Sequence, residues 1–251
     1  MARTNWTREE LIATFNLYCK IPFSKINYRH PLIQQLALAI GRSPSAIAWK
    51  LVNFASLDPT LQARNITGAK HIGKLDKLIF DEFYTNRDEF VYKSEIEINK
   101  FLKKKDFNWN DFEIKDGKTK ESVVKVRVNQ SFFRDMILAS YENKCCITGI
   151  NLPDLLVASH IIPWAKDVKN RLNPENGLCL NELHDKAFDK GLITIDSNYR
   201  IKNSKYLFSF NNNENIKSFF LKYEDKQIEM PTRFLPNKDF LEYHRKNIFR
   251  Q

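Results

Sequence analysis

The sequence lacks the features that would place the chain in a membrane or outside the cell. No run of apolar residues approaches the roughly 20 that a membrane-spanning helix needs. The first six residues, Met1 to Trp6, lack the apolar stretch of a secretory signal peptide. Only four of the 251 residues are cysteine, too few for a disulfide scaffold at this length. These absences predict a cytoplasmic protein with no membrane association.

The rest of the composition is that of ordinary globular proteins. Hydrophobic residues make up 43% of the chain and charged residues 28%, which argues against wholesale disorder, collagen and coiled coil. A chain of this length can bury a hydrophobic core, and it suits one large domain or two modest ones.

The charge is strongly basic and unevenly distributed. Lys and Arg number 40 against 30 Asp and Glu, a net charge of +10, which favours a polyanionic partner, most often nucleic acid. Residues 1–80 hold 11 basic and 4 acidic side chains, residues 81–130 hold 11 of each, and residues 131–251 hold 18 and 15. This distribution predicts a basic DNA-binding module ahead of a more balanced one. Solubility is the alternative explanation of the surplus.

The N-terminal module shows helix signals. Thr7 and Glu10 fit a capping box, Pro31 and Gly41 fit the two ends of a second helix, and Ser43-Pro44 fits the start of a third. Two helices joined by a short Gly-containing turn resemble a helix-turn-helix, with Ser43–Phe54 as the recognition helix. A plain helical hairpin is the alternative. The side chains expected to be free to contact DNA are Arg42, Ser43, Ser45, Trp49, Lys50 and Asn53.

The pattern as a whole predicts an α+β fold in two domains. We assign residues 1–105 to a helical basic domain, 106–129 to a connector and 130–251 to a second domain with short strands and helices. At the boundary, Val123–Val128 reads as a short strand and Ser131–Tyr141 as an amphipathic helix.

The residues best suited to chemistry follow a strand, loop, strand, helix order. An apolar strand, Leu155–Ile162, carries His160 near its end, and a basic loop and an Asn-Pro-Glu-Asn-Gly turn follow it. Leu178–Leu180 reads as the second strand, and Asn181 caps a helix over Glu182–Lys190.

This order can bring a strand histidine close to polar groups of a short helix. His184 and Asp185 lie in the first turns of the helix, and Asp189 follows Asp185 at i+4 on the same side. An imidazole and a carboxylate can hold one divalent ion together with water. A histidine with an ordinary pKa can accept a proton from water at neutral pH. Phosphodiester hydrolysis needs these groups.

Three stretches carry a family resemblance: ASHIIPW at 158–164, NGLCL at 176–180 and LHDKAFDKG at 183–191. They resemble the HNH endonuclease family. The resemblance implies a ββα-metal fold in which His160 is the general base, Asn176 pins the loop between the strands and His184 binds the metal. Asp185 is then a rival or additional ligand. The implied cofactor is a divalent ion, Mg²⁺ or alternatively Mn²⁺.

One position departs from the family pattern. Many HNH nucleases have an acidic metal ligand directly before the base histidine, where this chain has Ser159. A hydroxyl is a weaker ligand, so we expect the ion to depend more on His184, Asp185 or Asp189. Structural zinc is not expected, because Cys145, Cys146 and Cys179 do not form paired CxxC motifs.

The resemblance implies a metal-dependent endonuclease that acts on double-stranded DNA. Residues 141–149 and 231–245 are similar to a branch common among bacterial restriction enzymes, which favours a restriction or defence role. Lys166, Lys169 and Arg171 of the basic loop are expected to contact DNA. Cutting both strands needs two active sites or two visits, so a homodimer is a reasonable hypothesis. The rival interpretations are a nuclease that depends on modified bases and a DNA-binding regulator with a degenerate HNH domain.

Overall fold

The computed structural model of the protein describes residues 5–66, 72–102 and 120–251. The chain divides into two compact units, residues 1–139 and 140–251. The N-terminal unit is helical, whereas the C-terminal unit combines helices with two small antiparallel sheets. The α+β prediction is therefore confirmed. Within the described ranges, no helix has both the length and the hydropathy needed to cross a membrane.

The N-terminal unit is built from helices, the first three of which begin at local capping signals. They are α1 (Arg8–Lys20), α2 (Pro31–Ile40), α3 (Pro44–Ala55), α4 (Pro59–Gln62), α5 (Lys74–Thr85), α6 (Arg87–Phe101) and α7 (Lys120–Ser140). Thr7 and Glu10 form the reciprocal capping box before α1. Gly41 ends α2 in the left-handed conformation at φ 68°, and the Ser43 hydroxyl accepts from the Ala46 amide at the start of α3.

The core of this unit forms around α1. Every residue from Leu11 to Cys19 is buried, so the helix is covered on all sides rather than on one face. The Phe15 ring lies 5.0 to 5.3 Å from the rings of Phe54, Phe83 and Phe90, at the separations that favour edge-to-face and tilted packing. Side chains from α1, α3, α5 and α6 thus meet in one aromatic cluster.

The strand predicted over Val123–Val128 is wrong, because these residues belong to α7. Val124, Val128, Phe132 and Met136 are all buried and recur every fourth residue, which is the period of a helix face. This longer period overrides the β propensity of the valines. The predicted connector therefore enters α7 at Lys120, while its residues 106–119 lie outside the described ranges.

The C-terminal unit begins with the predicted strand, loop, strand and helix. Strand β1 (Leu156–His160) pairs antiparallel with β2 (Gly177–Asn181), with His160 opposite Gly177 and Leu156 opposite Asn181. Helix α8 (Glu182–Asp189) follows at once and packs against both strands. A second ribbon joins β3 (Ile193–Ile195) to β4 (Ile201–Asn203). The remaining helices are α9 (Lys205–Phe208), α10 (Glu214–Phe219) and α11 (Lys238–Asn247).

Helix α11 closes the unit by packing against β3 and the end of α8. The buried His244 ring stacks on the Phe188 ring at 3.6 Å, and its two nitrogens meet the Thr194 hydroxyl and the Phe188 carbonyl. Gly191 adopts φ +67°, and a Cβ there would lie 2.0 Å from the Ile248 carbonyl oxygen. This close approach explains why the turn after α8 has glycine.

Candidate active site

The hairpin and α8 together hold the side chains that the sequence singled out. His160 stands at the last position of β1 and is half-buried, while Asn181, at the end of β2, is the N-cap of α8. The Asn181 side-chain oxygen accepts from the His184 amide at 3.0 Å, which fixes where the helix begins. Because Asn181 lies opposite Leu156, the first turn of α8 is beside the start of β1, and the helix runs back so that its last residue, Asp189, is close enough to act on His160.

The backbone orients the His160 ring. Its Nε2 lies 2.9 Å from the carbonyl oxygen of Arg171. A carbonyl only accepts hydrogen bonds, so in the neutral ring Nε2 carries the proton and the lone pair lies on Nδ1. The ring meets the Trp164 ring edge-on at 5.4 Å. Burial lowers the pKa of His160, and the Arg171 carbonyl and the Asp189 carboxylate oppose that shift. The ring is thus a neutral base at neutral pH.

The Asn176 side chain hydrogen-bonds the backbone of the loop between β1 and β2 at two separate points. Its side-chain oxygen accepts from the Ile162 amide at 2.8 Å, and its amide donates to the carbonyls of Ile162 at 3.1 Å and Asn170 at 3.2 Å. The Asn176 carbonyl also accepts from the Ile161 amide at 3.0 Å. The side chain is fully buried. These bonds hold the loop directly after His160, and hence the chain that leads to the Arg171 carbonyl.

The carboxylates of α8 lie near the hairpin. Burial raises the pKa of Asp185, the Ser159 hydroxyl lowers it, and the Asp189 carboxylate raises it again. The Ser159 hydroxyl is buried and close enough to Asp185 to lower the pKa of that carboxyl. A half-buried carboxylate, a second carboxylate one turn away and a buried hydroxyl form a donor set that suits a hard cation.

His184 is buried on a different side of α8 from this set. Its Nε2 lies 2.9 Å from the Phe219 carbonyl oxygen and its Nδ1 lies 3.1 Å from the Asn181 side-chain oxygen. The rings of Phe220 and Tyr223 pack around it at 5.3 and 5.8 Å. Metal binding by His184 would require one of the two contacts to its nitrogens to break. Across the described ranges, no group of three or more His, Cys, Asp and Glu side chains is arranged to hold a metal ion.

The comparison with known families agrees with this geometry. Residues 145–196 match the model of a family described as HNH endonuclease. We call the matched residues the HNH domain after this similarity. The match covers β1, β2, α8 and β3, with the cysteines ahead of the hairpin. A search of the curated proteins finds no match to the chain.

The three predicted DNA contacts in the loop after β1 differ in their exposure to solvent. Lys166 and Lys169 are exposed, as phosphate contacts need to be. Arg171 is half-buried, because its Nε donates to the Trp164 carbonyl at 2.8 Å and its guanidinium lies 5.0 Å from the Trp164 ring centre. Arg171 thus supports the loop with its side chain and orients His160 with its carbonyl.

Several of the predicted DNA contacts in the N-terminal unit have partners within that unit. The Arg42 guanidinium pairs with Glu10 at 2.7 Å and stacks on the Trp6 ring at 4.1 Å. Lys50 pairs with the buried Asp76 at 2.8 Å, and the buried Asn53 amide lies 3.4 Å from the same carboxylate.

The few acidic residues of this basic segment thus form ion pairs with its lysine and arginine side chains. Ser43 is likewise engaged as the N-cap of α3. Ser45 and Trp49 are exposed, and the Trp49 side chain is 57% accessible. Ser43 is exposed as well, so of the predicted set Ser43, Ser45 and Trp49 are the residues presented to an outside partner.

Sequence reasoning missed two supports of the site. Trp164 frames both His160 and Arg171, although the sequence indicated only that Pro163-Trp164 ends a strand. The contact between His184 and Phe219 joins residues 35 positions apart. No local pattern predicts such a contact. Asp189 was recognisable, because its i+4 spacing from Asp185 places both carboxylates on one side of α8.

Proposed function

We propose that the C-terminal unit is a metal-dependent endonuclease that hydrolyses phosphodiester bonds of double-stranded DNA. The observation that carries this proposal is the His160 ring, whose Nε2 donates to the Arg171 carbonyl inside an HNH domain. A neutral imidazole held in one tautomer and close to the Asp189 carboxylate suits general-base hydrolysis.

His160 is the proposed general base. Its Nδ1 lone pair accepts a proton from the attacking water, and the resulting imidazolium keeps its Nε2 hydrogen bond to the Arg171 carbonyl. The Asp189 carboxylate favours the charged ring, because it raises the pKa of His160. Trp164 limits rotation of the ring by packing against its edge.

Asp185 and Asp189 are the proposed ligands of a divalent cation, with Ser159 beside them. Mg²⁺ is commonly held by one or two carboxylates and several waters, so a site without three protein ligands suits it, and Mn²⁺ is the alternative. When bound, such an ion stabilises charge on the phosphate and its leaving oxygen. The buried Ser159 hydroxyl beside Asp185 would orient that carboxylate. His184 then serves as a positioning residue.

A restriction or defence role with sequence-specific recognition is the biological setting we propose. The basic surplus of residues 1–80 supports a DNA-gripping role for the N-terminal unit. Trp49 and Ser45, exposed on α3, are the side chains of that unit best presented to DNA. Lys166 and Lys169 are the proposed phosphate contacts beside the active site. A homodimer would supply the second active site that a double-strand cut needs.

The test is plasmid cleavage by the purified full-length chain with Mg²⁺, with Mn²⁺ and with EDTA. We expect nicked or linear DNA with the metals and none with EDTA. His160→Ala should abolish cleavage and preserve DNA binding, whereas the control His30→Asn should cleave normally, because Asn keeps the N-cap of α2.

Three other outcomes of this assay would change the proposal. Binding without cleavage under any metal would favour the non-catalytic regulator. Cleavage of methylated plasmid alone would favour a nuclease that depends on modified bases. Normal cleavage by His160→Ala would remove His160 as the base.

A further inference from the structure

An exposed aromatic segment packs against α8 and plays no part in the proposed reaction. We call residues 205–222, which contain α9 and α10, the aromatic arm. Its exposed rings, with the accessible fraction of each residue, are Tyr206 (53%), Phe208 (42%), Phe210 (44%) and Phe219 (50%). Scattered exposed apolar residues are normal, but four aromatic rings within 14 residues mark a binding surface.

The polar residues of the arm carry positive charge. Lys205, Lys217 and Lys222 are all exposed, and Glu214 is the single acidic residue of the segment. Glu214 pairs with Lys217 at 2.8 Å. Lysines interspersed with exposed rings suit a nucleic acid strand, whose phosphates meet the lysines while its bases stack on the rings. A protein interface would favour fewer lysines at its centre.

The arm is attached directly to the catalytic helix. Phe219 is the last residue of α10, and its carbonyl accepts from His184 of α8 at 2.9 Å. The next residue, Phe220, is buried against the His184 ring at 5.3 Å, and its carbonyl accepts from the Asn203 amide at 3.3 Å. Asp185 follows His184 directly. The position of Phe219 is therefore set by the same helix that presents the proposed metal ligands.

We propose that the aromatic arm binds unpaired bases of the DNA strand that the HNH domain cuts. Tyr206 and Phe210, whose ring centres lie 5.1 Å apart in an edge-on pair, provide one stacking surface, and Phe219 at the end of α10 provides another. Lys205 and Lys222 contact the phosphates of the same strand. The choice of DNA as the strand rests on the proposed endonuclease function, whereas stacking on unpaired bases rests on the arm alone.

The test measures binding of the full-length chain to two fluorescent oligonucleotides of equal length in EDTA, so that cleavage plays no part. One is oligo-dT, and the other has the same backbone with abasic sites. We expect the wild-type chain to bind oligo-dT at least about fivefold more tightly, because each stacked base adds affinity. Phe210→Ala and Phe219→Ala should each reduce this preference about fivefold or more. Lys205→Gln should weaken binding to both strands by a similar factor.

Leu152→Ala is the matched control, because Leu152 is 52% exposed in the same unit but outside the arm. It should leave the preference for oligo-dT unchanged. Equal binding of oligo-dT and the abasic strand would overturn the proposal. Self-association in sedimentation velocity that Phe210→Ala and Phe219→Ala abolish, with no effect on binding of oligo-dT, would also overturn it in favour of a second copy of the chain. If the chain prefers oligo-dT to the abasic strand but cuts no plasmid, the proposal for the aromatic arm stands and the proposed endonuclease function is wrong.

Discussion

At the scale of single residues, the site depends on how each histidine ring is hydrogen-bonded. The Arg171 carbonyl accepts a hydrogen bond from Nε2–H of His160, so the basic lone pair of the neutral ring is on Nδ1. His184, although it has the same side chain, has both nitrogens within hydrogen-bond distance of oxygens of Asn181 and Phe219. Two histidines of one motif are thereby suited to different tasks, proton transfer and positioning.

Asp185→Asn tests the assignment of the carboxylates. The substitution removes the charge and keeps the size, so we expect the cleavage rate to fall at least about 100-fold, a loss typical of removing one charge-stabilising group. DNA binding in EDTA should persist. The measurement is single-turnover cleavage at saturating Mg²⁺. Glu182→Gln, an exposed acid in the first turn of the same helix, should cleave at nearly the wild-type rate.

A loss of activity in both variants would show that the charge of α8, rather than Asp185 itself, determines the rate. A fully active Asp185→Asn would remove this carboxylate from the proposed site. In that case a ligand role for His184 would need to be reconsidered.

At the scale of elements, what could be predicted from the sequence were the features with local signals. The capping box before α1, the Pro31 to Gly41 limits of α2 and the order β1, β2, α8 follow from neighbouring residues, and all three are present. The strand predicted at Val123–Val128 was wrong because the prediction used the β propensity of the valines and overlooked the helical spacing of buried residues along α7. The prediction that Lys50 of α3 has no partner within the chain missed a pairing for another reason. Asp76, which pairs with Lys50, comes from a distant helix that no local pattern brings close.

The turn after α8 offers a matched pair of glycine substitutions. Gly191→Ala would place a Cβ 2.0 Å from the Ile248 carbonyl oxygen at φ +67°, so α11 must shift. Gly41→Ala has nearly the same φ, +68°, with nothing within 4 Å. We expect about 1 kcal/mol of destabilisation from the left-handed conformation alone at Gly41. We expect Gly191→Ala to lower the free energy of unfolding by more than Gly41→Ala does, because it adds a steric clash to the same backbone strain.

Hydrogen exchange of the α11 amides and of Arg250, whose amide donates to the Gly191 carbonyl, measures the effect. These amides should exchange faster in Gly191→Ala and at the wild-type rate in Gly41→Ala. Equal protection in both variants would mean that α11 does not depend on this close approach.

At the scale of the whole molecule, the net charge of +10 overstates the charge available to a partner. In the N-terminal unit Arg8, Lys20, Arg42 and Lys50 each pair with an acidic side chain of the same unit. In the C-terminal unit exposed lysines are spread over many elements, among them the loop after β1, helix α8 and the aromatic arm. Composition alone could indicate a polyanionic partner, but it could not show which cations are already paired.

Acidification should destabilise the C-terminal unit through His244. Burial lowers the pKa of this histidine from 6.5 to about 4. Between these two values the unfolded chain binds a proton that the folded chain excludes, so stability falls as the pH decreases from 6.5 towards 4. The full difference is on the order of 3 kcal/mol. Above pH 6.5 the neutral ring, which meets Thr194 and the Phe188 carbonyl, contributes its full stabilisation.

Urea denaturation of the full-length chain at pH 7.0, 5.5 and 4.5, followed by a signal of the C-terminal unit, measures this dependence. His244→Gln should be less stable than the wild type at pH 7.0, because it loses the ring that stacks on Phe188. Its unfolding free energy should then fall less between pH 7.0 and 4.5, since glutamine does not titrate. The difference between the two slopes isolates the contribution of His244 from those of the other buried histidines and of the growing positive charge. Parallel pH profiles for the two proteins would show that His244 is not the group responsible.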